Sequence, residues 1–324
     1  MSVNVTETRT GKIYVDSDRR LEWLSVGDYG KESNLKANFL GLEKPIYGVT
    51  HRAVDLSDKW VITVSTQKGC RCCCNFCDVP KVGYFGDVSI NEFQHMISDA
   101  LLREDCWHTK RLNVHFARMG EPTFNESVIR FVRERLDDTV FSVIQADTIH
   151  PVVSTVMPKA NKNLRNFLMD WCHLKNSRNG EAGLQISIQS TDEVQHYIQF
   201  NGFSLDLLSI ADMVEDLPFP RGRKYTLNFA ITKDTILDAG QLSRLFDKDK
   251  WLVKITPIHQ TAAALTNGYD VTTEYGGYDV YEQFERQLLD EGWDVIVFVP
   301  SKEEDEDRIT CGNALMADLI GCCQ

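Results

Sequence analysis

The sequence predicts an α/β fold, an open, partial (β/α)6 barrel preceded by a small N-terminal β appendage. Two observations carry the barrel. From about residue 58 onward, β-rich runs alternate with stretches of helical apolar spacing, and that alternation means a parallel sheet with crossover helices. The alternation yields six strand–helix units, short of the eight that close a full barrel. A third observation carries the appendage. Residues 1–57 are mixed and polar, with short alternating runs at Lys12-Ile13-Tyr14-Val15 and Arg20-Leu21-Glu22-Trp23-Leu24, as short strands require.

The elements follow in order. Trp60 to Ser65 is a β-rich run leading straight into a cysteine-rich loop. Phe93, Met96, Ile97 and Leu101 mark a helix over 90–103. Further strands are expected at 112–117, 151–156, 184–188, 225–231 and 251–255, with helices at 125–136, 160–174, around 203–216 and around 239–247. A helix at 279–290 and a strand at 293–299 complete the pattern. The acidic run Glu303-Glu304-Asp305-Glu306-Asp307 reads as a solvated loop. The expected division is an appendage over 1–57, a core barrel over 58–300 and a C-terminal segment over 301–324. In such barrels chemistry sits at the C-terminal ends of the strands, which is where the cysteine loop falls.

Composition narrows the function. The chain has 324 residues, 43% of them hydrophobic, which suits a globular protein. No apolar run reaches membrane-spanning length, so no membrane is expected. The first residues lack a basic-then-apolar leader. Ten cysteines without a leader point to a reducing cytoplasm and to metal work rather than disulfides. A formal net charge of −12 argues against broad nucleic-acid affinity, which rests on cationic surface.

Five of the ten cysteines lie within residues 70–77. Cys70, Cys74 and Cys77 have the spacing C-x3-C-x-aromatic-C, with Phe76 as the aromatic. Thiolates are the standard ligands of iron–sulfur clusters, and a cubane needs four. A loop offering three leaves one iron open, as a catalytic metal requires. Zinc is disfavoured, because no second Cys or His pair follows at normal distance. The spacing is the signature of radical S-adenosylmethionine enzymes. That resemblance implies a [4Fe-4S] cluster on these three cysteines, S-adenosylmethionine chelated at the open iron, and Phe76 beside its adenine. It also implies an electron donor, either a reductase or a flavodoxin or ferredoxin.

Over about residues 60–318 the chain resembles the RlmN/Cfr group, radical S-adenosylmethionine methyltransferases that methylate an adenine of ribosomal RNA. Val64-Ser65-Thr66-Gln67-Lys68-Gly69-Cys70 is similar to that group's lead-in to its cluster loop, and Met119-Gly120-Glu121-Pro122 to its glycine–glutamate motif. Ser154-Thr155-Val156-Met157-Pro158 is similar to its serine–threonine turn. Ser187-Ile188-Gln189-Ser190 stands where the group has Ser-Leu-His-Ala, and Ile255-Thr256-Pro257-Ile258-His259 where it has an Ile-Pro-x-Asn turn. The resemblance implies that Gly120, Glu121, Ser154, Ser187, Gln189 and His259 line the S-adenosylmethionine site. Near the C-terminus, Cys311-Gly312-Asn313 stands where the group has its methyl-carrying cysteine. The implied route methylates Cys311, then activates that methyl group with a 5′-deoxyadenosyl radical and adds it to the RNA base.

Two departures matter. The group's second essential cysteine lies seven residues before its first cluster ligand, where this chain has Thr63. Cys72, Cys73 and Cys322 are the candidate substitutes. Nor is the group's helical RNA-binding domain recognisable in 1–57. Lys159, Lys162, Arg165, Lys175 and Arg178, or Arg221, Arg223 and Lys224, are the candidate RNA contacts. The sequence thus points first to an RNA methyltransferase, and second to a radical enzyme acting on a small molecule, nucleotide or peptide.

Overall fold

The computed structural model describes residues 3–27, 55–269, 279–298 and 302–321. Strands β1 (Asn4–Glu7), β2 (Lys12–Asp16) and β3 (Leu21–Gly27) form an antiparallel meander. β3 then pairs antiparallel with β4 (Trp60–Val64), so the N-terminal strands continue the main sheet. An uncovered β4 would present a row of unpaired N–H and C=O groups, and β3 satisfies them. Ser25 Oγ adds a tie by accepting from Trp60 Nε1 at 2.8 Å.

After β4 comes a short antiparallel hairpin, β5 (Gln67–Gly69) and β6 (Tyr84–Asp87), with the cysteine loop between its strands. β7 (His108–Phe116), β8 (Gln145–Thr155), β9 (Gly183–Ser187), β10 (Tyr225–Ile231), β11 (Trp251–Pro257) and β12 (Val295–Val297) then line up beside β4 in that order, each parallel to its neighbour. The described residues thus form a mixed α/β fold around a mostly parallel, ten-stranded sheet. The helices are α1 (Ile90–Leu102), α2 (Ser127–Glu134), α3 (Leu136–Phe141), α4 (Leu164–Ser177), α5 (Glu193–Gln199), α6 (Leu207–Val214), α7 (Ala239–Leu245), α8 (Ala262–Thr266), α9 (Asp279–Asp290), α10 (Lys302–Glu306) and α11 (Met316–Gly321).

In β4 and β7 burial alternates with the two-residue period of the pleat. In β4 Trp60, Ile62 and Val64 are buried, while Val61 and Thr63 are partly exposed. β7 buries Leu112, Val114 and Phe116, and leaves Arg111, Asn113 and His115 partly exposed. The buried face packs on the helices. Phe93 of α1, Phe116 of β7 and Phe131 of α2 meet with ring centroids 5.4–6.4 Å apart, each contributing roughly 2–3 kcal/mol by burial. The other face carries partly exposed residues along β4, β7 and β9 and is nearly closed at β10 and β11, where Ala230 and Lys254 are the partly exposed positions. It is called the inner face below.

Among the elements that differ from the sequence expectation, three show why. The helix expected at 125–136 breaks at Arg135 into α2 and α3. α5 was not foreseen, because Val194, Tyr197 and Ile198 stay exposed and give no buried stripe to detect. The acidic run 303–307 is not a solvated loop. It contains α10, and Asp305 is buried there.

Candidate active site at the cysteine loop

The loop leaves β5 at Gly69, which has φ +86° and lies so close to the Gly83 carbonyl that no side chain fits. Cys70 N donates to that carbonyl at 2.9 Å. Asn75 ties the middle of the loop to the end of α5, its N–H donating to Gln199 O at 2.9 Å and its side chain to Ile198 O at 2.6 Å. Phe76 packs edge-on against Phe200, centroids 5.9 Å apart, and beside Ile258 and Ala264. Asp78 closes the loop. Its buried carboxylate accepts the Ala262 and Ala263 amides at 3.0 and 2.9 Å, at the N-terminus of α8.

Cys70, Cys74 and Cys77 are partly exposed, with protein on the remaining sides. They sense one another's charge. Burial pushes the Cys74 and Cys77 thiols well above their ordinary range, and the neighbouring sulfurs push further. Cys70 is held below its usual value, first by a hydrogen bond from the Cys72 thiol and then, against its burial, by the Cys72 and Gly120 backbone amides.

The C-terminal segment lies on this loop. Gly312 O accepts from Asp78 N at 2.9 Å and faces Cys77 Sγ at 3.9 Å. Gly312 has φ +81°, and a Cβ there would stand 3.4 Å from Cys77 Sγ. Cys311 is exposed, 3.9 Å from the Ala117 carbonyl at the end of β7. Burial of the surrounding site raises its thiol, opposed by the charges of Arg118 and Lys254. The charge of Cys311 reaches Cys74 and Cys77, and that of Cys70 reaches Cys311.

The other expected residues sit at the C-terminal ends of neighbouring strands. Gly120 has φ +94°, and a Cβ would fall 2.5 Å from Gln67. Glu121 is buried, which raises its carboxyl. Its oxygens accept from Val156 N at 2.9 Å, Thr123 N at 3.1 Å and Thr123 Oγ1 at 2.7 Å. Glu121 thereby joins the turn after β7 to the end of β8. Ser154 and Ser187 are partly exposed on the inner face. Gln189, at φ +67°, uses Oε1 to accept the Ala230 amide at 2.6 Å. His259 Nδ1 lies 3.0 Å from Asp305 Oδ1. Thr63 is on the inner face in register with His115, and no thiol occupies its position. Cys72 is buried against Cys70, Cys73 is partly exposed, and Cys322 lies outside the described residues.

No protein-family model matches the chain. The dual-specificity RNA methyltransferase RlmN of Geobacter sulfurreducens is 24% identical over 246 residues, 74% of this chain and 61% of that protein. The probable RlmN of Aquifex aeolicus is 25% identical over 206 residues, 62% of this chain and 56% of that protein. A radical SAM methyltransferase from Sphaerobacter thermophilus shares the fold, with a TM-score of 0.66 over 98% of this chain and 81% of that one, at 16% identity. The chain resembles the RlmN/Cfr group of radical S-adenosylmethionine proteins. It spans 61% or less of the length of these two curated relatives.

Within this RlmN/Cfr-like chain, the largest omission of the sequence reading is Arg118. The residue immediately precedes the Met119-Gly120-Glu121-Pro122 turn after β7, yet only the fold gives it a role. Its buried guanidinium pairs with buried Glu22 of β3. It also donates to the Thr310 carbonyl at 3.0 Å, Arg308 at 2.8 Å and Asn313 at 3.4 Å. Glu22 in turn accepts the Leu315 and Met316 amides at 3.2 and 2.7 Å. The pair clasps both sides of the segment carrying Cys311. The expected basic faces are largely neutralised: Arg165 pairs with Asp216, Arg178 with Asp137 and Lys224 with Asp294, while Lys175 is buried against backbone carbonyls.

The donor set fits an iron–sulfur cluster. The thiols share one confined place where burial and mutual repulsion keep Cys74 and Cys77 protonated, so a cationic core is the partner that would stabilise three thiolates there. Among the described residues no group of three His, Cys, Asp or Glu side chains is set to hold a single metal ion. A cubane asks for a different spacing, because each thiolate binds its own iron.

Proposed function

We propose that the chain is a radical S-adenosylmethionine methyltransferase acting on an adenine carbon of RNA, with Cys311 as methyl carrier. Residues 58–300, taken as a partial (β/α)6 barrel, form its core and 301–324 the carrier segment. Cys70, Cys74 and Cys77 would hold a [4Fe-4S] cluster. Phe76, Gly120, Glu121, Ser154, Ser187, Gln189 and His259 would line the S-adenosylmethionine site. Bound together, cluster and S-adenosylmethionine supply one-electron reduction and a radical that abstracts hydrogen.

The observation that carries the reading is the seat of Cys311–Gly312 against Cys77 and Asp78. A thiol 234 residues away in sequence from Cys77 stands beside the loop that would hold the cluster. As a thiolate, its proton given up to solvent, Cys311 would accept the methyl group that bound S-adenosylmethionine would supply as a sulfonium. The Arg118 and Lys254 charges favour that thiolate. Mass spectrometry of protein incubated with S-adenosylmethionine should find Cys311 methylated, and an unmodified thiol would end the carrier role. Reconstituted protein should bind about four irons per chain, and Cys74→Ala should lose them. Comparing host RNA nucleosides with and without the gene tests the substrate.

Thr63 favours a second reading. With no thiol on β4 to resolve an adduct with Cys311, the chain would be a radical enzyme on a small molecule, nucleotide or peptide that ends without methyl transfer.

A further inference from the structure

Lys254 lies midway along β11, on the partly exposed inner face. In register it stands beside Asn228 of β10, which stands beside Ser187 of β9. Register partners project from the same face of a sheet, so the three form one polar row. Asn228 is 8% exposed, and its Oδ1 has no hydrogen-bond partner. Buried polar atoms are almost always satisfied, so this acceptor is open to a donor from a ligand or water.

The charges agree. No carboxylate lies at ion-pair distance from Lys254 or Arg223 among the described residues, whereas Arg111 on the same face pairs with Glu181 at 3.7 Å. Lys254 has Phe298 as its aromatic neighbour, 5.2 Å from the ring centroid. Arg223 is exposed, two residues before β10, at the strand ends opposite the cysteine loop. Burial lowers the Lys254 ammonium to about 8, and the charges of Arg223 and Lys59 add to this. His115 on the same face is held neutral, at about 3, by burial and by the charge of Lys254. Like charges are thus crowded together in a chain whose net charge is −12.

We infer that Lys254, Arg223 and Asn228 form an anion subsite on the inner face that receives a phosphoryl group of the substrate, with Asn228 accepting from a sugar hydroxyl. Ammonium and guanidinium groups with several phosphate oxygens between them are the usual way such a group is held. Lys254 is near enough to Cys311 for the two charges to interact. The inference rests on the inner face being the reaction chamber, and it concerns binding alone.

The test is calorimetric titration of the reconstituted full chain with adenosine 5′-monophosphate, adenosine and a short adenine-containing oligoribonucleotide. Wild-type protein should bind at least one phosphorylated probe roughly tenfold or more tighter than adenosine. Lys254→Met and Arg223→Met should each lose most of that advantage, and Lys254→Arg should keep most of it, with thermal melting of all three checked against wild type. Charge-dependent binding of the monophosphate identifies a phosphate monoester, and of the oligoribonucleotide alone a backbone diester. The inference is overturned if phosphate adds nothing over adenosine, or if the advantage survives in both methionine variants. Failure of Cys311 to become methylated would leave these titrations unchanged, so the two readings fail separately.

Discussion

Arg118 and Lys254 both bring positive charge to Cys311, but in opposite settings. Arg118 is saturated: Glu22 neutralises it, and backbone carbonyls of the C-terminal segment take its remaining N–H groups. Among the described residues Lys254 faces no carboxylate within ion-pair distance, and beside it Asn228 Oδ1 has no hydrogen-bond partner. A buried charge with every donor used is scaffold, because moving it exposes several unsatisfied groups at once. A charge left unsatisfied on a reachable face is available to a ligand. The contrast separates what holds Cys311 from what would hold a substrate beside it.

Breaking the saturated side should have the largest effect. Arg118→Met strands the Glu22 carboxylate and the carbonyls of 308–313, and should cost about 3–5 kcal/mol in urea denaturation. The Glu22→Gln/Arg118→Met double variant should cost less than the single one, since no unpaired charge remains. An Arg118→Met protein as stable as wild type would remove the distinction drawn here. Gly120→Ala comes next. A left-handed φ and a Cβ 2.5 Å from Gln67 should cost about 1–3 kcal/mol. Because the Gly120 amide also supports Cys70, iron content after reconstitution should fall with melting temperature.

Asp305 sharpens the comparison through pH. Burial pushes its carboxyl up, but the His259 charge and hydrogen bond, with the Gln260 amide, outweigh this and hold it at about 2. A carboxyl depressed on folding stabilises the folded state above its unfolded pKa, and that stability is lost as pH falls through the folded value. Wild type should therefore lose about 2 kcal/mol between roughly pH 4 and pH 2 that Asp305→Asn does not lose. Equal acid titration curves would show that this latch carries no stability. The smallest effect belongs to Cys311→Ser. The thiol is exposed and makes one long contact, so stability should change by less than about 0.5 kcal/mol, while the mass shift of cysteine methylation disappears.

Much of the fold was legible. β10 at 225–231 and α9 at 279–290 have the boundaries expected from pattern alone, because each has a clear apolar period. α5 was missed because its apolar residues face solvent. The buried state of Asp305 was missed because a run of acids reads as solvated until a partner such as His259 is brought from elsewhere. At the site, spacing named the cysteines, and resemblance named Gly120, Glu121 and Cys311. Nothing local named Glu22 or Asn228, since neither belongs to a motif.

The sequence by itself determined the strand–helix alternation, the cysteine spacing and the glycines that the tight turns require. These are short-range properties, set by side-chain period and backbone sterics over a few residues. Only the tertiary structure decided that Gly312, next to Cys311, meets Cys77, that Arg118 of β7's turn and Glu22 of β3 clasp the segment between them, and that Lys254 has no acid to pair with among the described residues. Those facts depend on which buried charges and carbonyls find partners across strands far apart in the chain. That pairing exists only once the sheet has assembled.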